Sequence, residues 1–188
     1  CFVEGKYLYI VGDHGNGGVT VWDILDPGSP LKVGEFHPHF YHDIYVRNDT
    51  AYASAIYGHG VDILDVSDKS DISETGNVFY PDNGAHNTWT TADGSHLFVG
   101  DEVGDAGNWI RIFDITNPRN PKQVGNHIVD RDAVVHNFYV RDQMLYAGHY
   151  TKGVRFLDIS NPTRPREVGF YDTFHEKSDR IYRVVTDI

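Results

Sequence analysis

Three histidines occupy matching places in a recurring pattern. They open the segments His42-Asp43-Ile44-Tyr45-Val46, His86-Asn87-Thr88-Trp89-Thr90 and His136-Asn137-Phe138-Tyr139-Val140. The spacings are 44 and 50 residues. Imidazole is the commonest protein metal ligand, and it suits Zn, Cu and Fe. Three imidazoles carried to one level by a repeat could share an ion. The same repetition allows a second role, in which each histidine hydrogen-bonds the neighbouring unit and latches it. The residue types leave both roles open.

Further candidates follow the second β-like run of each repeat. They are Asp13-His14, His59, Asp101-Glu102 and His149. Equivalent positions in a repeat should gather at one end of the molecule. The candidate ligand set is therefore His42, His86, His136, Asp101, Glu102 and His149. Asp101, Glu102, Asp105 and Asn108 also make an oxygen-rich loop. Calcium takes six to eight such oxygens. The run lacks the Asp-x-Asp-x-Asp spacing of calcium loops, and a solvated acidic loop explains it as well. Nitrogen-rich ligation would point to Zn, Cu or Fe, and oxygen-only ligation to Ca²⁺. His37, His39 and His175 could add ligands, but nothing in the sequence fixes where they point.

Other chemistry is poorly represented. The chain has no Gly-x-Ser-x-Gly and no His-Glu-x-x-His. The Gly-rich run 12–18 leads into the β-like segment at Val19, so no helix dipole waits for a phosphate. Asp101 and Glu102 would face opposite sides of a strand, so they would not flank one bond unless the chain turns there.

The elements that position these residues are themselves repeated. An Asp recurs in Val19-Thr20-Val21-Trp22-Asp23, Val61-Asp62-Ile63-Leu64-Asp65, Ile110-Arg111-Ile112-Phe113-Asp114 and Val154-Arg155-Phe156-Leu157-Asp158. Such an Asp can accept backbone N–H bonds from the turn that follows, a role we favour over ligation. Gly34, Gly76, Gly125 and Gly169 recur downstream and mark a bulge or a close approach. Each repeat divides into four short β-like runs separated by Gly, Pro and Asn. Tyr45, Trp89 and Tyr139 fall on the opposite strand face from the histidines and suit packing between repeats. Four strands recurring every 42–50 residues predict an all-β chain, a β-propeller of four-stranded antiparallel blades. The repeats run approximately 1–41, 42–85, 86–135 and 136–180, with a stub at 181–188. We expect one segment of a larger propeller, with the remainder supplied by more chain or by other chains.

Composition narrows the partners. The 188 residues carry a net charge of −11, which argues against a nucleic-acid-binding face. Apolar runs such as Tyr7–Val11 are too short to span a bilayer. One cysteine, Cys1, excludes an internal disulfide. Aromatics at 13% exclude a disordered chain.

The segments Arg155-Phe156-Leu157-Asp158-Ile159-Ser160-Asn161-Pro162 and Arg111-Ile112-Phe113-Asp114-Ile115-Thr116-Asn117-Pro118 resemble the LVIVD-repeat proteins. His86-Asn87-Thr88-Trp89-Thr90 with Gly100-Asp101-Glu102 is similar to the choice-of-anchor B group within them. The resemblance covers essentially the whole chain. It implies a β-propeller with an extracellular or cell-surface location, or a periplasmic one, and no settled activity. The first expectation is a binding or structural module, or an accessory subunit, that meets a protein or polysaccharide at the propeller face or rim. The alternatives are a metal-dependent enzyme, acting by oxidation or metal-assisted hydrolysis at the channel end, and a Ca²⁺-stabilised scaffold.

Overall fold

The computed structural model describes residues 1–12, 17–103, 109–128 and 133–173. The expected stub at 181–188 and residues Asp13, His14, Asp105, Asn108 and His175 lie outside them. Among the described residues there are four antiparallel sheets of four strands each, and no α-helix. Blade I holds β1 (Phe2–Glu4), β2 (Tyr7–Val11), β3 (Val19–Asp23) and β4 (Leu31–Phe36). Blade II holds β5 (Asp43–Arg47), β6 (Thr50–Ala55), β7 (Gly60–Asp65) and β8 (Ser73–Val78). Blade III holds β9 (Ala85–Thr90), β10 (His96–Asp101), β11 (Trp109–Asp114) and β12 (Lys122–Ile128). Blade IV holds β13 (Phe138–Arg141), β14 (Met144–Gly148), β15 (Val154–Asp158) and β16 (Arg166–Tyr171). Each sheet is a simple meander. The first strands β1, β5, β9 and β13 neighbour one another and form the inner edge.

The apolar cores lie between blades rather than within them. One cluster joins blades I and II, a second joins II and III, and a third joins III and IV. Alternation along each strand produces this, because successive side chains serve opposite interfaces. One cross-strand row recurs four times. It reads Phe2–Tyr9–Val21–Gly34, Tyr45–Tyr52–Ile63–Gly76, Trp89–Phe98–Ile112–Gly125 and Tyr139–Tyr146–Phe156–Gly169. Tyr45 stacks on Trp89 with ring centroids 4.4 Å apart, and Phe2 meets Tyr45 edge-on at 5.3 Å.

In the first three rows the closing glycine answers to the next blade. A Cβ on Gly34 would lie 1.6 Å from the Lys69 carbonyl oxygen, and one on Gly76 would lie 1.8 Å from that of Pro118. On Gly125 it would lie 2.6 Å from the Thr163 oxygen. Among the described residues, one on Gly169 would meet only Phe156 of its own blade, at 3.5 Å. Tyr139, Tyr146 and Phe156 are accordingly half-buried, whereas Tyr9, Tyr52 and Phe98 are buried. All four fourth strands carry a bulge beside this glycine.

The repeated aspartates fix the turns. Asp23, Asp65, Asp114 and Asp158 each accept a backbone N–H two residues on, from Leu25, Ser67, Thr116 and Ser160, at 2.9 Å. The irregular second copy, with Asp68 where two other copies have Asn-Pro, makes an equivalent turn: Asp71 N–H donates to the Asp68 oxygen at 3.1 Å.

Candidate functional site

His42 precedes β5, His86 is the second residue of β9, and His136 lies just before β13. The inner strands carry the three rings into one line. Centroids are 4.7 Å apart between His42 and His86, and 4.3 Å between His86 and His136. Glu102, directly after β10, faces this line. Its two oxygens lie 3.5 Å from His86 Nε2 and 3.5 Å from His136 Nε2. Its backbone N–H donates to the Gly84 oxygen at 3.0 Å, which ties the loop to the chain entering β9. Ligand atoms of His42, His86 and Glu102 all come within 4.8 Å of one another.

The orientation of His86 is fixed by blade IV. Its Nδ1 lies 3.2 Å from the backbone oxygen of His136. A carbonyl only accepts, so Nδ1 carries the proton and a neutral ring offers its Nε2 lone pair towards Glu102. Burial, and then the neighbouring His136, push the His86 imidazole down to about 4, so the neutral form prevails at neutral pH. A neutral Nε2 and a carboxylate that face each other are both electron-rich. A cation between them satisfies both. This is the arrangement of a metal-ligating histidine whose second nitrogen is held by a backbone carbonyl.

Glu102 is held in turn by Tyr150, whose hydroxyl donates to it at 2.6 Å. Tyr150 is buried, in a short 3-10 turn (Tyr150–Lys152), with a backbone φ of 25°, unusual for a residue with a side chain. Its ring lies 5.3 Å from that of His136. Tyr150 was not legible as a site residue. The one signal is its place in the loop after the second strand, where Glu102 stands in blade III.

The latch between blades belongs largely to the neighbouring position. Asn87 Nδ2 donates to Asp43 in blade II at 2.9 Å, and its Oδ1 accepts the Phe138 N–H of blade IV at 3.0 Å. One residue beyond the histidines, a cleft of about 300 Å³ is lined by Asp43, Tyr45, Asn87, Trp89 and Tyr139.

Asp101 does not join the histidines. It is fully buried, and both oxygens are taken: Tyr80 and the Gly84 N–H donate to one at 2.6 and 3.1 Å, and Arg111 donates to the other at 2.8 Å. It is a packing carboxylate, and Arg111 also lies over the Tyr80 ring at 4.5 Å. Burial raises its pKa above the usual carboxylate range, while these donors oppose the rise. This occupation also removes it from the oxygen set of a calcium loop. His149 is fully buried at the end of β14, where its backbone closes the loop through Lys152 and Gly153. It is not among the described residues whose ligand atoms converge. His59 turns instead to Asp62, three residues on, so the equivalent loop positions do not form one cluster. His37 bonds the Gly17 oxygen and Glu35.

Comparison with known proteins agrees with the fold. The LVIVD repeat profile matches residues 2–37, 42–79 and 139–173, more than half of the chain. Blade III falls outside those matches, although it has the same architecture. No curated protein matches. A protein from Lactobacillus plantarum is 12% identical, with a TM-score of 0.75 over 92% of this chain and 55% of its own. The Pseudomonas aeruginosa periplasmic gluconolactonase is 13% identical, with a TM-score of 0.69 over 89% of this chain and 54% of its own. A β-propeller domain from Myceliophteria thermophila is 12% identical, with a TM-score of 0.63 over 89% and 57%. The chain thus spans about half the length of these structures, and identities this low speak for the fold alone. With its repeat matched over most of three blades and its sheets arranged as in propellers, the chain belongs to the LVIVD-repeat family.

Proposed function

We propose that these blades hold a divalent transition-metal ion at one end of the propeller channel and present it there to a ligand. His86, His42 and Glu102 supply the ligand atoms, and His136 flanks them. The observation that carries this reading is Glu102 facing the His86 and His136 imidazoles at 3.5 Å each, with ligand atoms of Glu102, His86 and His42 within 4.8 Å of one another. Mixed nitrogen and oxygen donors suit Zn²⁺, Cu²⁺ or Fe²⁺ rather than Ca²⁺. A bound ion would act as a Lewis acid or anchor for an oxygen-bearing ligand. The protein or polysaccharide partner expected from the resemblance, and an extracellular or cell-surface setting, belong to the same proposal. So does ring completion. The Tyr139–Tyr146–Phe156 row repeats three rows that a following blade covers, so a further blade of the same repeat is its fitting occupant.

Elemental analysis of natively purified, chelator-free protein tests the metal. Compared with wild type, Glu102→Gln and His42→Ala should each lose one equivalent of transition metal. Unchanged metal content in both would overturn the assignment.

A further inference from the structure

Blade II buries a carboxylate that no Lys or Arg among the described residues pairs with. Asp62 is fully buried on β7. The matching positions on the other third strands are Thr20, Arg111 and Arg155. Asp101, the other deeply buried carboxylate described above, has Arg111. Among the described residues no Lys or Arg pairs with Asp62. Its partners are the Tyr41 hydroxyl at 2.5 Å, Asn77 Nδ2 at 2.7 Å and His59 Nε2 at 3.1 Å. Buried charges are paired or coordinate metals, because an uncompensated one is costly.

Two imidazoles stand beside it. The His39 and His59 rings lie 3.7 Å apart between centroids, tilted by 33°. Ligand atoms of His39, His59 and Asp62 converge to within 4.8 Å of one another. His59 has 37% of its side chain exposed, so the group opens to solvent. Two nitrogens, one oxygen and an open side are the donor set of a three-ligand zinc site. Tyr41 donates to Asp62 Oδ2, and Asn77 donates to Oδ1, the oxygen that also faces His59, as outer partners orient a metal ligand. Tyr41 is buried, and both burial and the hydrogen bond to Asp62 keep its hydroxyl protonated as a donor.

We propose that His39, His59 and Asp62 form a second divalent-cation site, separate from the histidines of the channel and open to an external ligand. Binding would displace any proton shared between His59 and Asp62 to solvent. The site sits on the loops that join blade I to blade II and β6 to β7. Tyr41, one residue before His42, links it to the channel site.

The test is titration of the whole chain with Zn²⁺ and with Co²⁺, followed by calorimetry and visible absorption. Wild type should take up two equivalents. His59→Ala and His39→Ala, both at partly exposed positions, should each lose one equivalent or weaken it by at least about tenfold. His42→Ala and Glu102→Gln should keep the equivalent that His59→Ala loses. If His59→Ala and His39→Ala titrate as wild type does, the second site is overturned. It is also overturned if Glu102→Gln abolishes all binding. If instead Glu102→Gln titrates as wild type while His59→Ala loses an equivalent, the second site stands and the channel site falls.

Discussion

His86 of blade III points its Nδ1 at the backbone oxygen of His136 in blade IV, 3.2 Å away. The packing of one blade on the next therefore decides which nitrogen of His86 is left for Glu102. Of the two roles the sequence leaves open, the contact to the next blade engages Nδ1, and the proposed ligand role would engage Nε2 of the same ring.

Separating them by mutation should be direct. Asn87→Ala removes a side chain bonded to both Asp43 and the Phe138 N–H, and leaves a buried donor unsatisfied. We expect a loss of ~1–3 kcal/mol. Each kcal/mol lowers Tm by roughly 2–4 °C in a domain of this size. His42→Ala, at an exposed ring, should leave the Tm of the metal-free protein nearly unchanged and should remove metal from the loaded protein. Thermal denaturation beside metal analysis of both variants checks the contrast.

The row-closing glycines give a second test. Gly76→Ala would drive a Cβ to 1.8 Å from the Pro118 oxygen, and Gly34→Ala one to 1.6 Å from that of Lys69. Overpacking of this kind costs typically ~1–3 kcal/mol. Among the described residues Gly169→Ala meets no other blade, and it should be near neutral. Chemical denaturation of the three variants should rank them so. If a further blade covers Gly169, supplying that blade should make Gly169→Ala costly as well.

Acid stability should follow the turn carboxylates. Asp93 is pushed down to about 2, first by the Thr91 hydroxyl and then by the Ser95 N–H. Asp114 and Asp158 are lowered by their Thr116 and Ser160 donors. A carboxylate lowered in the folded state binds protons less readily there than in the unfolded chain. Its contribution is complete above the unfolded value of ~3.9 and is lost as pH falls through the folded one. Urea denaturation between pH 5 and pH 2 should show stability falling with pH, with a shallower slope in Asp93→Asn. An unchanged slope would assign the acid response elsewhere.

Metal should also stabilise the fold. An ion bound only by the native state adds about 2.7 kcal/mol when free metal stands at ~100 times its Kd. A chelator should reverse the shift in Tm. Absence of any shift with Zn²⁺, Cu²⁺ or Co²⁺ would count against both sites.

The fold was legible because the repeat declares itself in residue type. Asp23, Asp65, Asp114 and Asp158 end third strands, and Gly34, Gly76 and Gly125 meet a neighbouring blade, as their periodicity implies. The loop positions after the second strands do not gather as one cluster, but the approach of the His42, His86 and His136 rings was legible for the same reason. The fate of Asp101 was not. Its partner Arg111 lies on the next strand across a loop, and Tyr80 comes from the chain that enters the blade, so no local pattern pairs them. Asp62 was hidden differently. Blade II alone carries Asp where its counterparts carry Thr or Arg, and a departure from a repeat says less in sequence than the repeat does.

Anomalous scattering from crystals soaked in Zn²⁺ tests the central claim most directly. A peak at the channel end, ~2.0–2.2 Å from a nitrogen of His86 and an oxygen of Glu102, is the predicted result. Crystals that take up no zinc there, with Glu102 still 3.5 Å from His86 Nε2, would contradict it.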